Sequence, residues 1–265
     1  MAYIQANFVS QSLMRTVTIN AILPADKISV PGLPDAANPP YKTLYLLHGI
    51  TGNYTDWVNN SSIQRWADDN NLAVIMPSGE NMFYLDQPVT NAFYAQFVGE
   101  ELVNITRKMF PLSSKREDTF IAGLSMGGYG ALRNGLKYHK TFSRIGAFSA
   151  ALLIDDMPGY TDENPLFCFR KSYIESIFGE IESVADSDKN PMWILKKLLE
   201  KKEPVPEIYL ACGTEDFLLP NNQRFYEAAH KAGADIVYET WTGNHEWDFW
   251  NEAVRRFLVR LPLNN

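Results

Sequence analysis

A serine stands in the pentapeptide Gly123-Leu124-Ser125-Met126-Gly127, just after the apolar run 119–122 and just before Gly128-Tyr129-Gly130-Ala131. A bare G-x-S-x-G is common. Between a strand and a helix it marks a nucleophile held on a strained turn, with glycines where strand and helix come close. The free N–H groups and positive dipole end of such a helix would face negative charge developing beside the serine. The blander alternative is a serine capping a glycine-rich helix start. An unassisted serine is a poor nucleophile, so a base and a group to orient it must come from elsewhere. In this strand-turn-helix arrangement the acid, then the histidine, follow the serine along the chain.

Of the four histidines, only His139, His230 and His245 follow Ser125. His139 lies far down the helix that begins at the serine, and His230 sits inside a helical pattern. His245 lies in a loop, Thr242-Gly243-Asn244-His245, at the edge where parallel sheets place their sites, and it is the predicted base. Glu215 and Asp216 both follow the apolar run 208–212. Asp216, deeper in the turn, is favoured as the acid, although either carboxylate could simply cap a helix. Two backbone N–H groups should face the developing oxyanion. Met126, next after the serine, supplies one. Ile50, with Gly49 its rival, supplies the other from the loop His48-Gly49-Ile50-Thr51-Gly52. His48 precedes the serine and reads as a residue that fixes this loop.

These groups need a scaffold that brings them to one edge. Segment 17–23 alternates as a strand, with 8–10 as its partner. The proline-rich stretch 24–41 is a loop. Short apolar runs at 43–47, 72–76, 119–122, 145–148, 208–212 and 235–239 read as strands buried on both faces. Helical patterns fall at 57–69, 93–109, 130–138, 223–232 and 247–261. Strands alternating with helices predict a mostly parallel sheet in a single α/β domain covering 1–265. Residues 151–206 are too many for a simple crossover and read as a cap-like insertion, with helical patches at 173–178 and 193–199.

The order and spacing of these motifs resemble the esterase D-like branch of the α/β-hydrolases. The resemblance rests on Leu47-His48-Gly49-Ile50-Thr51-Gly52 with Asp56-Trp57, on Gly123-Leu124-Ser125-Met126-Gly127-Gly128, on Cys212-Gly213-Thr214-Glu215-Asp216 and on Gly243-Asn244-His245-Glu246-Trp247. That branch includes tributyrin, feruloyl and acetylxylan esterases, S-formylglutathione hydrolases and mycolyltransferases, and the small tributyrin-esterase type is the nearest likeness. The resemblance implies an α/β-hydrolase fold. It also implies a Ser125–His245–Asp216 triad, Ile50 and Met126 as backbone donors, and no metal or cofactor. The expected activity is hydrolysis of short-chain acyl (acetyl, butyryl) or feruloyl esters. The rivals are thioester hydrolysis of S-formylglutathione, acyl transfer to an alcohol, and a non-catalytic binding module on the same scaffold. The substrate would be a small ester, including an acylated sugar.

Composition narrows the field. Hydrophobic residues are 46% and charged residues 21% of 265, ordinary for a globular chain. The net charge of −7 argues against nucleic acid and anionic membranes as partners. Cys168 and Cys212 make no disulfide framework, and no cysteine–histidine cluster suggests zinc. The first residues resemble no signal peptide, and no apolar run is long enough to span a bilayer, so a cytoplasmic location is expected. Aromatics reach 13%. Trp57, Phe83, Tyr84, Phe93, Phe167, Phe169, Trp193, Phe217 and Trp247 could line an acyl or phenolic pocket, with Trp57, Phe167, Trp193 and Trp247 the candidates. Core packing competes for most of them. A homo-oligomer would use any apolar surface left on the insertion.

Overall fold

The apolar runs are central strands because their alternate side chains feed two different cores. In the strand Thr43–Leu47 (β3), Leu44 and Leu46 enter one buried cluster and Tyr45 and Leu47 the other. Fully burying each aliphatic side chain contributes about 1.5–3 kcal/mol, so a strand buried on both faces has no polar alternate positions. The structure is a computed structural model and describes residues 1–28 and 38–263. The middle of the predicted proline-rich loop, 29–37, lies outside the described residues.

Among the described residues, eight strands form the main sheet in the order β1-β2-β4-β3-β5-β6-β7-β8. They are β1 (Ala2–Ser10), β2 (Arg15–Leu23), β3, β4 (Ala73–Pro77), β5 (Thr119–Leu124), β6 (Arg144–Phe148), β7 (Glu207–Gly213) and β8 (Ile236–Trp241). From β4 to β8 every pairing is parallel, while β2 runs antiparallel to both β1 and β4. The first strand extends further toward the N-terminus than segment 8–10. Ile4, Ala6 and Phe8 pack on the core while Tyr3, Gln5, Asn7 and Val9 face outward, an alternation already legible in the sequence.

Helices cover both faces. Ile63–Asp69 (α1) and the C-terminal Trp247–Val259 (α7) pack on the face that receives Leu44 and Leu46. Leu102–Met109 (α2), Met126–Lys137 (α3), Lys171–Phe178 (α4), Pro191–Lys201 (α5) and Leu219–Lys231 (α6) contribute to the other. The predicted helix 57–69 is broken into Asp56–Asn60 and α1, because Ser61 and Ser62 leave the helix and the Ser61 hydroxyl donates back to the Trp57 carbonyl. Residues 151–206 carry short 3-10 turns as well as α4 and α5. They are fastened to α3: the Arg133 guanidinium, 2% exposed, donates to the Asp188 carbonyl (2.8 Å) and carboxylate (2.7 Å), and the Tyr129 hydroxyl donates to the Lys189 carbonyl (2.5 Å). Among the described residues no helix is long and apolar enough to cross a membrane.

Candidate active site

β5 runs straight into α3 through Ser125, whose φ of 53° and ψ of −119° belong to neither strand nor helix. A non-glycine residue held there costs about 1–3 kcal/mol, so its surroundings must fix it. The Ser125 N–H donates to the Phe148 carbonyl at 2.8 Å, and its own carbonyl accepts from the Tyr129 and Ala151 N–H groups, each at 3.0 Å. The flanking glycines are a matter of space. A Cβ on Gly123 would lie 2.4 Å from the Gly127 carbonyl oxygen, and one on Gly127 would lie 2.5 Å from that of His48.

The loops after β7 and β8 bring Asp216 and His245 to the serine. His245 Nε2 stands 3.0 Å from Ser125 Oγ, and His245 Nδ1 stands 2.9 Å from Asp216 Oδ2. The second Asp216 oxygen accepts the Leu218 N–H at 2.8 Å. Burial alone would push the Asp216 carboxyl up. The hydrogen bond and charge of His245, the Leu218 N–H and the Ser149 hydroxyl outweigh it and hold the carboxyl below its ordinary value. The adjacent Glu215 turns outward and ties the two loops together, accepting the Gly243 N–H at 2.6 Å. These loops cross so closely that a Cβ on Gly213 would lie 2.1 Å from the Gly243 carbonyl oxygen. A hydroxyl, imidazole and buried carboxylate in this sequence can move a proton off the hydroxyl and stabilise the imidazolium that results.

The loop after β3 completes the constellation. His48 is 1% exposed, and burial holds its imidazole below the ordinary value, in the neutral form. Its Nδ1–H donates to the Gly49 carbonyl at 2.6 Å, while its Nε2 accepts the Gly79 N–H at 2.8 Å. The Gly49 carbonyl and the Ile50 N–H belong to one planar trans peptide and point in opposite directions. The ring that holds the oxygen therefore also aims the Ile50 N–H. Ile50 and Met126 both line the cavity over Ser125, and neither N–H donates to a protein acceptor among the described residues.

That cavity measures about 280 Å³ and is apolar apart from Thr51, Cys168, Ser125 and His245. Residues 151–206 supply one wall, through Ala151, Leu153 and the stretch 166–169. Among the described residues, no Lys, Arg, Asp or Glu lines it. Among the described residues no cluster of His, Cys, Asp or Glu is arranged to hold a metal ion.

Residues 10–261 match a protein-family model described as "Putative esterase". The chain belongs to this esterase family. An acetyl esterase of Caldicellulosiruptor saccharolyticus is 44% identical over 254 residues, covering 96% of each chain. Among solved structures, the fluorophosphonate-binding serine hydrolase F of Staphylococcus aureus superposes with a TM-score of 0.85 at 30% identity, over 100% of this chain and 99% of that one. The S-formylglutathione hydrolase of the same organism follows at a TM-score of 0.84 and 29% identity, over 99% of each chain. A ferulic acid esterase at 23% identity and a TM-score of 0.71 shares the fold. The α/β-hydrolase scaffold and carboxylic ester hydrolysis are thereby common ground.

Of the aromatics considered for the esterase's pocket, Phe83, Phe167, Phe169 and Phe217 line the cavity, whereas Trp57, Trp193 and Trp247 do not. Trp57 is 1% exposed on the other side of the sheet. There its Nε1–H donates to the Leu47 carbonyl at 2.9 Å and its ring meets Trp247 edge-on at 5.3 Å. Trp247 also packs edge-on against Trp250 at 5.3 Å. Trp193 lies on α5, its ring 5.8 Å from the Lys197 ammonium. Tyr84 is buried with its hydroxyl donating to the His48 carbonyl at 3.0 Å, and Phe93 sits in a short hairpin with Asp86.

Two groups in the esterase have no counterpart in the sequence reading. Ser149, fully buried at φ 44° directly after β6, places its hydroxyl beside the Asp216 carboxylate. It accepts the Trp250 Nε1–H at 3.1 Å, and the Trp250 ring stands edge-on to His245 at 4.9 Å. A polar residue immediately after a central strand was the available signal for Ser149, because it must emerge at the carboxyl edge of the sheet. Trp250 gave none: one turn into an amphipathic helix it reads as core.

Proposed function

We propose that the esterase is a serine carboxylesterase that cleaves short-chain acyl esters, acetyl esters foremost, through an acyl-enzyme. Ser125 Oγ attacks the ester carbonyl while His245 Nε2 takes its proton. Asp216 holds the imidazole with Nδ1 protonated and stabilises its charged form. The Ile50 and Met126 N–H groups receive the negative charge that develops on the carbonyl oxygen. When the tetrahedral adduct collapses, its carbon–oxygen bond to the alcohol breaks and the alcohol leaves with the proton from Nε2. Water, deprotonated by the same nitrogen, then attacks the acyl group, and the carboxylic acid and free Ser125 are released.

The observation that carries this reading is the unbroken path Ser125 Oγ–His245 Nε2 (3.0 Å) and His245 Nδ1–Asp216 (2.9 Å) on the wall of an apolar cavity. The acetyl esterase relative at 44% identity supports a small acyl group. The Staphylococcus aureus S-formylglutathione hydrolase favours a thioester reading instead. Glutathione, however, carries two carboxylates, and among the described residues this cavity offers no cationic side chain to pair with them. Replacing Ser125 by Ala should abolish p-nitrophenyl acetate hydrolysis and fluorophosphonate labelling while thermal unfolding stays near that of the parent. Turnover in Ser125→Ala equal to the parent's would overturn the assignment.

A further inference from the structure

His245 Nε2 must hand its proton to the leaving oxygen, so that oxygen has to lie within hydrogen-bond reach of Nε2. The rest of the alcohol must then extend past the imidazole. The residue standing there is Phe217, whose ring centroid is 4.8 Å from that of His245 and which is 56% exposed. Phe169 meets Phe217 edge-on at 6.1 Å. Leu166, 57% exposed, and Phe167, 39% exposed, continue the apolar rim from the insertion. Phe217 is not a loose loop tip. It lies between Asp216 and Leu218, whose N–H is bound to the Asp216 carboxylate, so the loop that sets the acid also sets this ring.

We propose that this rim is the leaving-group subsite, and that it selects acetyl esters of alcohols bearing an apolar or aromatic group over those of polyhydroxylated alcohols. The inference rests on the roles given above to Ser125 and His245. Large apolar side chains facing water at the mouth of a cavity are desolvated when a ligand covers them, and an aryl group does so without burying polar atoms. A sugar would bring hydroxyls into the same space, and each covered hydroxyl needs a partner. The polar side chains of the lining are Thr51, Cys168, Ser125 and His245, of which the last two are occupied with each other.

The test keeps the acyl group constant and avoids activated leaving groups. kcat/KM is measured for 2-phenylethyl acetate, ethyl acetate and a mono-O-acetylated methyl xyloside, whose alcohols leave no more readily when an aryl ring is added. The parent should favour 2-phenylethyl acetate over each of the others by about tenfold, the scale on which apolar pockets discriminate. Phe217→Ala should lower kcat/KM for 2-phenylethyl acetate by about tenfold, and for ethyl acetate by a smaller factor, so that the ratio collapses. Phe217→Leu, apolar but without the ring, should recover part of it. Equal kcat/KM for the three acetates in the parent would overturn the proposal. So would a fall in both rates at constant ratio in Phe217→Ala, since that is what loss of His245 positioning alone would give. A fluorophosphonate, whose leaving group is fluoride, reports on Ser125 independently of the rim. Parent protein that is labelled but shows no preference refutes the subsite alone, while protein that is not labelled refutes the serine mechanism beneath it.

Discussion

His48 offers the sharpest separation of stability from rate in this esterase, because its two ring nitrogens do different things. Nδ1–H holds the Gly49 carbonyl and thereby aims the Ile50 N–H, whereas Nε2 caps the Gly79 N–H. Asparagine places a donor near the Nδ1 position, and glutamine an acceptor near Nε2. His48→Gln should therefore keep the Gly79 partner and release the Gly49–Ile50 peptide, and His48→Asn should do the reverse. Complete loss of one oxyanion donor lowers kcat by about 10²–10³. The Gly49 carbonyl retains a second, longer bond from the Gly52 N–H at 3.3 Å, so the peptide is only partly freed. The expected fall in kcat for His48→Gln is accordingly about 10–100-fold, with KM little changed, since the interaction strengthens only in the transition state. His48→Asn should retain most of kcat but lose about 1–3 kcal/mol of stability, the cost of a buried N–H without a partner. Initial rates on p-nitrophenyl acetate well below the melting temperature, with thermal unfolding of each variant, resolve the two effects. A His48→Gln enzyme with the parent's kcat would refute the reasoning, as would equal rate losses in both variants. The pH dependence has a definite sign. Burial depresses the folded-state value below 6.5, so above 6.5 both states are neutral and the stability is full. As pH falls below 6.5 only the unfolded chain takes up the proton, and stability drains until the folded-state value is reached. Both variants lack that loss, so the parent should melt with the steeper dependence on the acid side of 6.5.

Two further substitutions test the parts behind the imidazole. Asp216→Asn should lower kcat by about 10³–10⁴ at nearly constant KM, because an amide no longer enforces the Nδ1-protonated form of His245; steady-state kinetics on p-nitrophenyl acetate check it. Ser149→Ala removes the hydroxyl that helps hold that carboxyl low and should cost about tenfold in kcat, with Trp250→Phe costing less because the ring edge against His245 survives. The Asp216 carboxyl is held low in the folded state, so it stabilises above 3.8 and that stability is lost as pH falls through the folded value. Ser149→Ala should shrink this acid-side loss, read as a smaller drop in melting temperature between pH 5 and pH 3.

What was legible in the sequence follows from how far apart in the chain the deciding contacts lie. The strained turn at Ser125 could be read because its demands are local: a strand, a serine and two glycines within a few residues, with Gly127 needed where α3 crosses the end of β3. The histidine and the acid could be read because chain order and the carboxyl edge of a parallel sheet leave few places for them. Neighbouring residues then met opposite fates for reasons of direction. Asp216 and Glu215 are adjacent carboxylates, yet one points down to His245 and the other out to the Gly243 N–H, and only the crossing of the β7 and β8 loops decides which. The pocket aromatics fared worse because a ring carries no mark of the face on which it will lie. Trp57 and Trp247 are both within a few residues of site loops, but the helices that carry them pack on the face away from the cavity, and they meet each other edge-on instead. Trp193 is carried off on α5, while Phe167 and Phe169 reach the cavity from an irregular turn with no periodicity to read. The proposed leaving-group rim thus falls on Phe217 and on the stretch 166–169, the places where local sequence specifies the backbone least. The proposed triad falls on loops at strand ends, where the sheet specifies the backbone most.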